Sequence, residues 1–127
     1  MGFTNKEIWQ IAMEQSAIDA NCNAEDFKGS RNVVVTSVKN EKARKYLELP
    51  LPCHFISYGN NIVASVQEDF REAASSYIER YPVEHCFETP NMHVINDALQ
   101  KQKHRICFMA EYFLPDPDCL RELECGY

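Results

Sequence analysis

Cys53–Tyr58 and Ile62–Val66 are two runs of strand-forming residues separated only by Gly59-Asn60-Asn61. Gly and Asn tolerate the positive φ that tight turns demand, so the stretch predicts a β-hairpin. Gln67–Tyr81 follows at once. It repeats Phe70, Ala74, Tyr77, Ile78 and Tyr81 at helical spacing, and Pro82 stops it. A hairpin that runs directly into an amphipathic helix commits the chain to a sheet with a helix packed on it.

The rest of the sequence supplies further layers. Thr4-Asn5-Lys6-Glu7 is a capping box, and Ile8, Ile11, Ala12, Gln15 and Ile18 then recur at helical spacing, which predicts a helix from Thr4 to Ala20. Asn23-Ala24-Glu25-Asp26 predicts a second, short helical turn. Val33–Val38 is β-branched and predicts a strand. The charged stretch Asn40–Leu49 is ambiguous, and Pro50-Leu51-Pro52 blocks both helix and ladder. His85-Cys86-Phe87 predicts a short strand, and Thr89-Pro90 opens a helix to about Gln102. Arg105–Leu114 is the most apolar run. Its large residues on both alternating faces predict a central strand in a covered sheet, ended by Pro115 and Pro117. The expected fold is α/β (α+β), a mixed sheet flanked by helices in the order α-α-β-β-β-α-β-α-β, within one domain spanning residues 1–127.

Composition narrows the function. The 127 residues carry a net charge of −6 and 45% apolar residues, the balance of a folded domain. An acidic chain with scattered Lys and Arg has no electrostatic footprint for nucleic acid and no polybasic patch for a membrane. No run approaches the roughly 20 apolar residues of a membrane span. No apolar signal core follows Met1-Gly2-Phe3-Thr4, so the expected location is cytoplasmic. The six cysteines (Cys22, Cys53, Cys86, Cys107, Cys119 and Cys125) form no C-x-x-C pair, so a zinc knuckle or dithiol motif is not expected, and most are expected to be small core residues. Cys53-His54 and His85-Cys86 are adjacent pairs, but sequence neighbours on a strand point to opposite faces, so neither pair can activate itself. His54, His85, His93 and His104 show no metal-ligand spacing, and no metal site is expected.

Three stretches carry a resemblance. Ala17-Ile18-Asp19-Ala20-Asn21-Cys22, Ile56-Ser57-Tyr58-Gly59-Asn60-Asn61 and Cys107-Phe108-Met109-Ala110-Glu111-Tyr112-Phe113-Leu114-Pro115 resemble the N-terminal region of bacterial two-domain proteins of the GNAT acetyltransferase superfamily. The element order is similar to a GNAT core over nearly the whole chain. The resemblance implies a parent N-acetyltransferase that uses acetyl-CoA, with a C-terminal GNAT domain as partner and residues 115–127 as a tail or linker toward it. A homodimer is a further possible assembly.

The residues qualify that implication. GNAT proteins seat the acetyl-CoA pyrophosphate on a Q/R-x-x-G-x-G/A loop, where glycines let backbone N–H groups approach the phosphates at a helix N-terminus. The equivalent stretch here is Ala64-Ser65-Val66-Gln67-Glu68-Asp69-Phe70, with no glycine. Glu68 and Asp69 suit a ligand-free helix N-terminus, contributing roughly 0.3–1 kcal/mol each. They would repel a diphosphate by about 1 kcal/mol or more each. Gln67, Glu68 and Asp69 therefore predict a degenerate cofactor loop, and this chain is expected to bind no cofactor. Many GNAT enzymes also use a tyrosine general acid near the end of the helix before the last core strand; Gln100 stands there, and an amide releases no proton at neutral pH.

The expected role is thus a scaffold, substrate-side or dimerisation domain. A stand-alone acetyltransferase with a divergent cofactor site and a small non-enzymatic interaction module are the alternatives. Glu111, a carboxylate inside an apolar strand, is the single candidate for chemistry; it predicts a partner such as Arg105 or a histidine, a local opening to solvent, or a cleft in which it binds a substrate amine or acts as base. Tyr58, Asn60 and Asn61 at the hairpin tip are substrate-side candidates, expected to be polar and exposed.

Overall fold

A computed structural model describes residues 2–107 and 109–119. The chain is mixed α+β: four helices and a three-stranded sheet with one parallel and one antiparallel pairing. Helix α1 spans Asn5–Ala20, and a 3₁₀ turn covers Ala24–Phe27. Strands β1 (Val33–Thr36), β2 (Cys53–Ile56) and β3 (Val63–Val66) follow. Helices α2 (Glu68–Arg80), α3 (Val83–Cys86) and α4 (Thr89–Gln100) complete the order.

The capping box at the start of α1 forms as its sequence requires. The Thr4 hydroxyl accepts the Glu7 N–H at 3.2 Å, and the Glu7 carboxylate accepts the Thr4 N–H at 2.8 Å. These bonds hold the Glu7 carboxyl below its ordinary range, the backbone bond from Thr4 contributing most. The hairpin also forms. β2 pairs antiparallel with β3, with Cys53 opposite Val66 and Ile56 opposite Val63, and Gly59 takes the positive φ of +102°. β1 pairs parallel with β3, placing β3 in the centre of the order β1-β3-β2.

The period-2 geometry of the sheet divides the core. Val33, Val35, Ile56 and Val63 face α1 and the 3₁₀ turn, where Met13, Ala17, Ala20 and Phe27 meet them. Val34, Cys53, Phe55, Ala64 and Val66 face the other way, onto Phe70, Ala74, Tyr77 and Ile78 of α2 and Ile95 and Leu99 of α4. The result is helix, sheet, helix. The small residues Ser16, Ala17 and Ala20 are the ones α1 presents inward; Ser65 Oγ donates to the Ala20 carbonyl at 2.6 Å, so the helix lies close on the sheet. Ile11 is left exposed.

Two expected strands are absent. His85-Cys86-Phe87 lies instead in and just after α3. Pro82 fixes an extended entry (φ −56°), and its carbonyl accepts the N–H of His85 at 3.0 Å and of Cys86 at 3.1 Å, closing a helical turn. The Tyr77 hydroxyl then donates to the Cys86 carbonyl at 2.6 Å and pins that turn to α2. Among the described residues of Arg105–Leu114 none belongs to a ladder. Met109, Tyr112, Phe113 and Leu114 are exposed, Phe113 at 88%, so the segment is not a central strand. Phe108 lies outside the described residues. So does most of the expected tail over residues 115–127; Pro115–Cys119 contains a turn in which the Asp116 carbonyl accepts the Cys119 N–H. No described helix is long and apolar enough to cross a membrane.

Candidate functional site

A cleft of about 840 Å³ lies between α1, the hairpin, α3 and the segment Met109–Asp116. This lies within the usual size of a small-molecule site. One wall is aromatic. The Trp9 ring sits 5.4 Å from Tyr58, and Tyr58 meets Phe27 edge-on at 5.1 Å. The Tyr58 hydroxyl is held by Ser16 Oγ at 2.8 Å, which fixes the ring as part of the wall.

The floor holds Asp19, the one buried carboxylate among the described residues. It accepts two hydrogen bonds, from the Arg44 N–H at 2.9 Å and the Gln15 side-chain amide at 3.0 Å, and forms an ion pair with Arg44 Nε at 3.2 Å. A buried charge must be paired in this way or neutralised. Arg44 continues outward. Its guanidinium donates to Tyr46 Oη at 3.3 Å and lies 5.3 Å from the centre of the Tyr112 ring. Tyr46 and Tyr112 share a 2.7 Å hydroxyl–hydroxyl bond. The bond from Tyr112, and then that from Arg44, hold the Tyr46 phenol below its ordinary range; the same bond holds Tyr112 above its own.

The mouth is acidic. Glu84, Glu88, Glu111 and Asp116 all line it, against Arg44 as the cation. Glu88 is bonded to His85 at 2.8 Å, and Asp116 to the Asn5 side-chain amide at 3.0 Å. Among the described residues, Glu84 and Glu111 form no ion pair. Glu111 is thus an exposed cleft carboxylate, not a buried one paired with Arg105 or a histidine. It lost its expected partner because the segment that carries it does not enter the sheet.

The hairpin-tip candidates divide. Tyr58 lines the cleft. Asn60 is exposed at the turn and outside the lining. Asn61 is wholly buried, contrary to expectation: its side-chain N–H₂ donates to the Asp26 and Arg31 carbonyls, both at 2.7 Å, and fastens the hairpin to the 3₁₀ turn. Its role is structural.

Gln67 joins β3 to α2, whose first turn carries Glu68 and Asp69. The Gln67 N–H donates to the Pro52 carbonyl at 3.0 Å, and its side-chain amide to the Pro50 carbonyl at 3.3 Å. Glu68 pairs with Arg71 at 3.3 Å, while Arg71 also donates to Thr36 Oγ1 at 3.0 Å. Glu68 and Asp69 are exposed in the first turn.

Three thiols are poor nucleophiles. Burial pushes Cys22 and Cys53 up to about 12 and Cys86 up to about 11. Cys107 and Cys119 are exposed rather than in the core. His54 packs on the Asp19–Arg44 side of β2; burial, the largest influence, holds it below its ordinary value, and its Nδ1 has no hydrogen-bond partner. Among the described residues no group of three or more His, Cys, Asp or Glu could hold a metal ion.

Asp19, Arg44, Tyr46 and Trp9 escaped the sequence reading. A charged residue on the inward face of α1, three positions after Ser16, is the signal that Asp19 offered. Arg44 and Tyr46 lie in a stretch without periodicity and carried none. No family model matches the chain, and no curated protein or solved structure matches it either.

Proposed function

We propose that this chain is a GNAT-like N-terminal domain that provides the acceptor side of an acyl-transfer protein: its cleft receives an amine, while acetyl-CoA is held by a second, C-terminal domain. The observation that carries this reading is the chemistry of the cleft mouth. Two carboxylates without a pairing cation, Glu84 and Glu111, stand over an aromatic wall of Trp9 and Tyr58. Carboxylates and π faces together favour an ammonium group on an apolar body. The loop before α2 supports the division of labour: it has no glycine, the Gln67 N–H is engaged by Pro52, and Glu68 and Asp69 repel a pyrophosphate. Phe3, Ile11 and Phe113 are exposed apolar side chains available for burial against a second domain.

Titration with benzylammonium and with uncharged benzyl alcohol tests the reading. The ammonium binds more tightly, and Glu111→Gln narrows the difference by about two- to five-fold, the effect of one solvated ion pair. Equal affinity for the two compounds, or no effect of the substitution, overturns it.

A further inference from the structure

The two edges of the sheet are treated differently. Ladder bonds run from the Val33 N–H to Ile62 and from the Ser37 N–H to Val66, so the backbone groups of Val34 and Thr36 point away from the sheet. Both outward carbonyls are met by side chains: Thr36 O by the Asn21 amide at 3.1 Å and Val34 O by the Arg71 guanidinium at 3.5 Å. The β1 edge is therefore blunted.

The β2 edge has no such cover. The Gln67 N–H to Pro52 O bond sets the alternation, so His54 and Ile56 bond to β3 while Cys53, Phe55 and Ser57 turn their backbone groups outward. Among the described residues, no side chain bonds the backbone groups of Cys53 or Phe55. That edge opens on two cavities. The 840 Å³ cleft borders Phe55–Tyr58, and a second of about 410 Å³ borders Pro52–Phe55. Met109, Ala110 and Tyr112 border both. Across this gap the chain runs with increasing number in the direction of β2, and its ends are tied. Ile106 N–H donates to Asn96 Oδ1 at 2.8 Å before the gap, and Asp116 accepts from Asn5 after it.

We propose that Met109–Leu114 is a strap that adds to the free edge of β2 as a fourth strand, parallel to it, and closes the cleft. An open edge facing a six-residue apolar segment tethered alongside it is the arrangement from which strand addition proceeds. Pairing satisfies the outward groups of Cys53, Phe55 and Ser57. Glu111, within the strap, supplies the charge that keeps the new edge from recruiting another chain. Met109–Leu114 and Phe55–Tyr58 line the same cleft, so strand addition narrows it.

Hydrogen exchange and nuclear Overhauser contacts on the full chain test the strap. Cys53 and Phe55 amides exchange slower in the wild type than in Met109→Pro/Ala110→Pro by about tenfold or more, because local opening sets their rate. The β3 amides stay protected in both proteins. Cross-strand contacts between residues 53–57 and 109–114 appear in the wild type, and they decide the matter even if the proline variant unfolds. Equal exchange at Cys53 and Phe55 with β3 intact, missing cross-strand contacts, or protection that rises with protein concentration, the mark of a second copy on the edge, overturns the proposal. Loss of benzylammonium binding alone would count against the amine reading and leave the strap standing.

Discussion

β3 and the segment Met109–Leu114 have similar sequence character and opposite fates. Val63–Val66 is buried at every position, because β1 and β2 occupy both of its edges and helices cover both faces. Met-Ala-Glu-Tyr-Phe-Leu is apolar or aromatic at every position but Glu111, yet it lies exposed beside the sheet. Apolar pattern makes a segment able to be a strand; a vacant edge and closed contacts make it one. β3 obtains one edge locally, through the six-residue connection 57–62, and the other from β1, its parallel partner earlier in the chain. The later segment has to reach its edge across three helices.

This contrast is open to attack by substitution, beginning on the β3 side. Phe70→Ala removes the α2 ring packed on Ala64 and Val66 and costs about 3–5 kcal/mol in urea denaturation. Asp19→Asn weakens the bonds that tie Arg44 and its loop to α1 and costs about 1–3 kcal/mol in the same measurement. His54 gives a pH signature. Because burial lowers its folded pKa below the ordinary 6.5, the unfolded chain binds the proton more readily. The contribution is fully present above pH 6.5 and is lost as pH falls from there through the lower folded pKa. Thermal melts between pH 8 and pH 5 therefore drop less steeply for His54→Gln than for the wild type. Phe113→Ala has the smallest effect, within about 0.5 kcal/mol, since its ring is already in water. A cost near that of Phe70→Ala would place Phe113 in the core and erase the contrast.

The sequence was most legible where the rule is local. Thr4 and Glu7 closed α1, Gly59 made the turn, and Pro82 ended α2, each through groups within a few residues. The same locality misled at His85-Cys86-Phe87: a short run between two prolines has strand character, but Pro82 seeds a helical turn that no apolar pattern announces. The mixed sheet was legible as a class, whereas the central place of β3 was not, because strand order depends on pairings across the 37–52 connection. The site was legible in Tyr58 and Glu111. It was illegible in Asp19 and Arg44, which meet across 25 residues of sequence, and Asn61 looked exposed only because its two carbonyl partners are equally remote.

We propose that the α2 N-terminus, which carries Glu68 and Asp69 and no glycine, seats no acetyl-CoA. Calorimetric titration of the full chain with acetyl-CoA tests it most directly. The prediction is no saturable heat at micromolar ligand, with weak binding gained when Glu68 and Asp69 are replaced by Gly. Micromolar binding by the unaltered chain, abolished by changes at Gln67–Asp69, would contradict it.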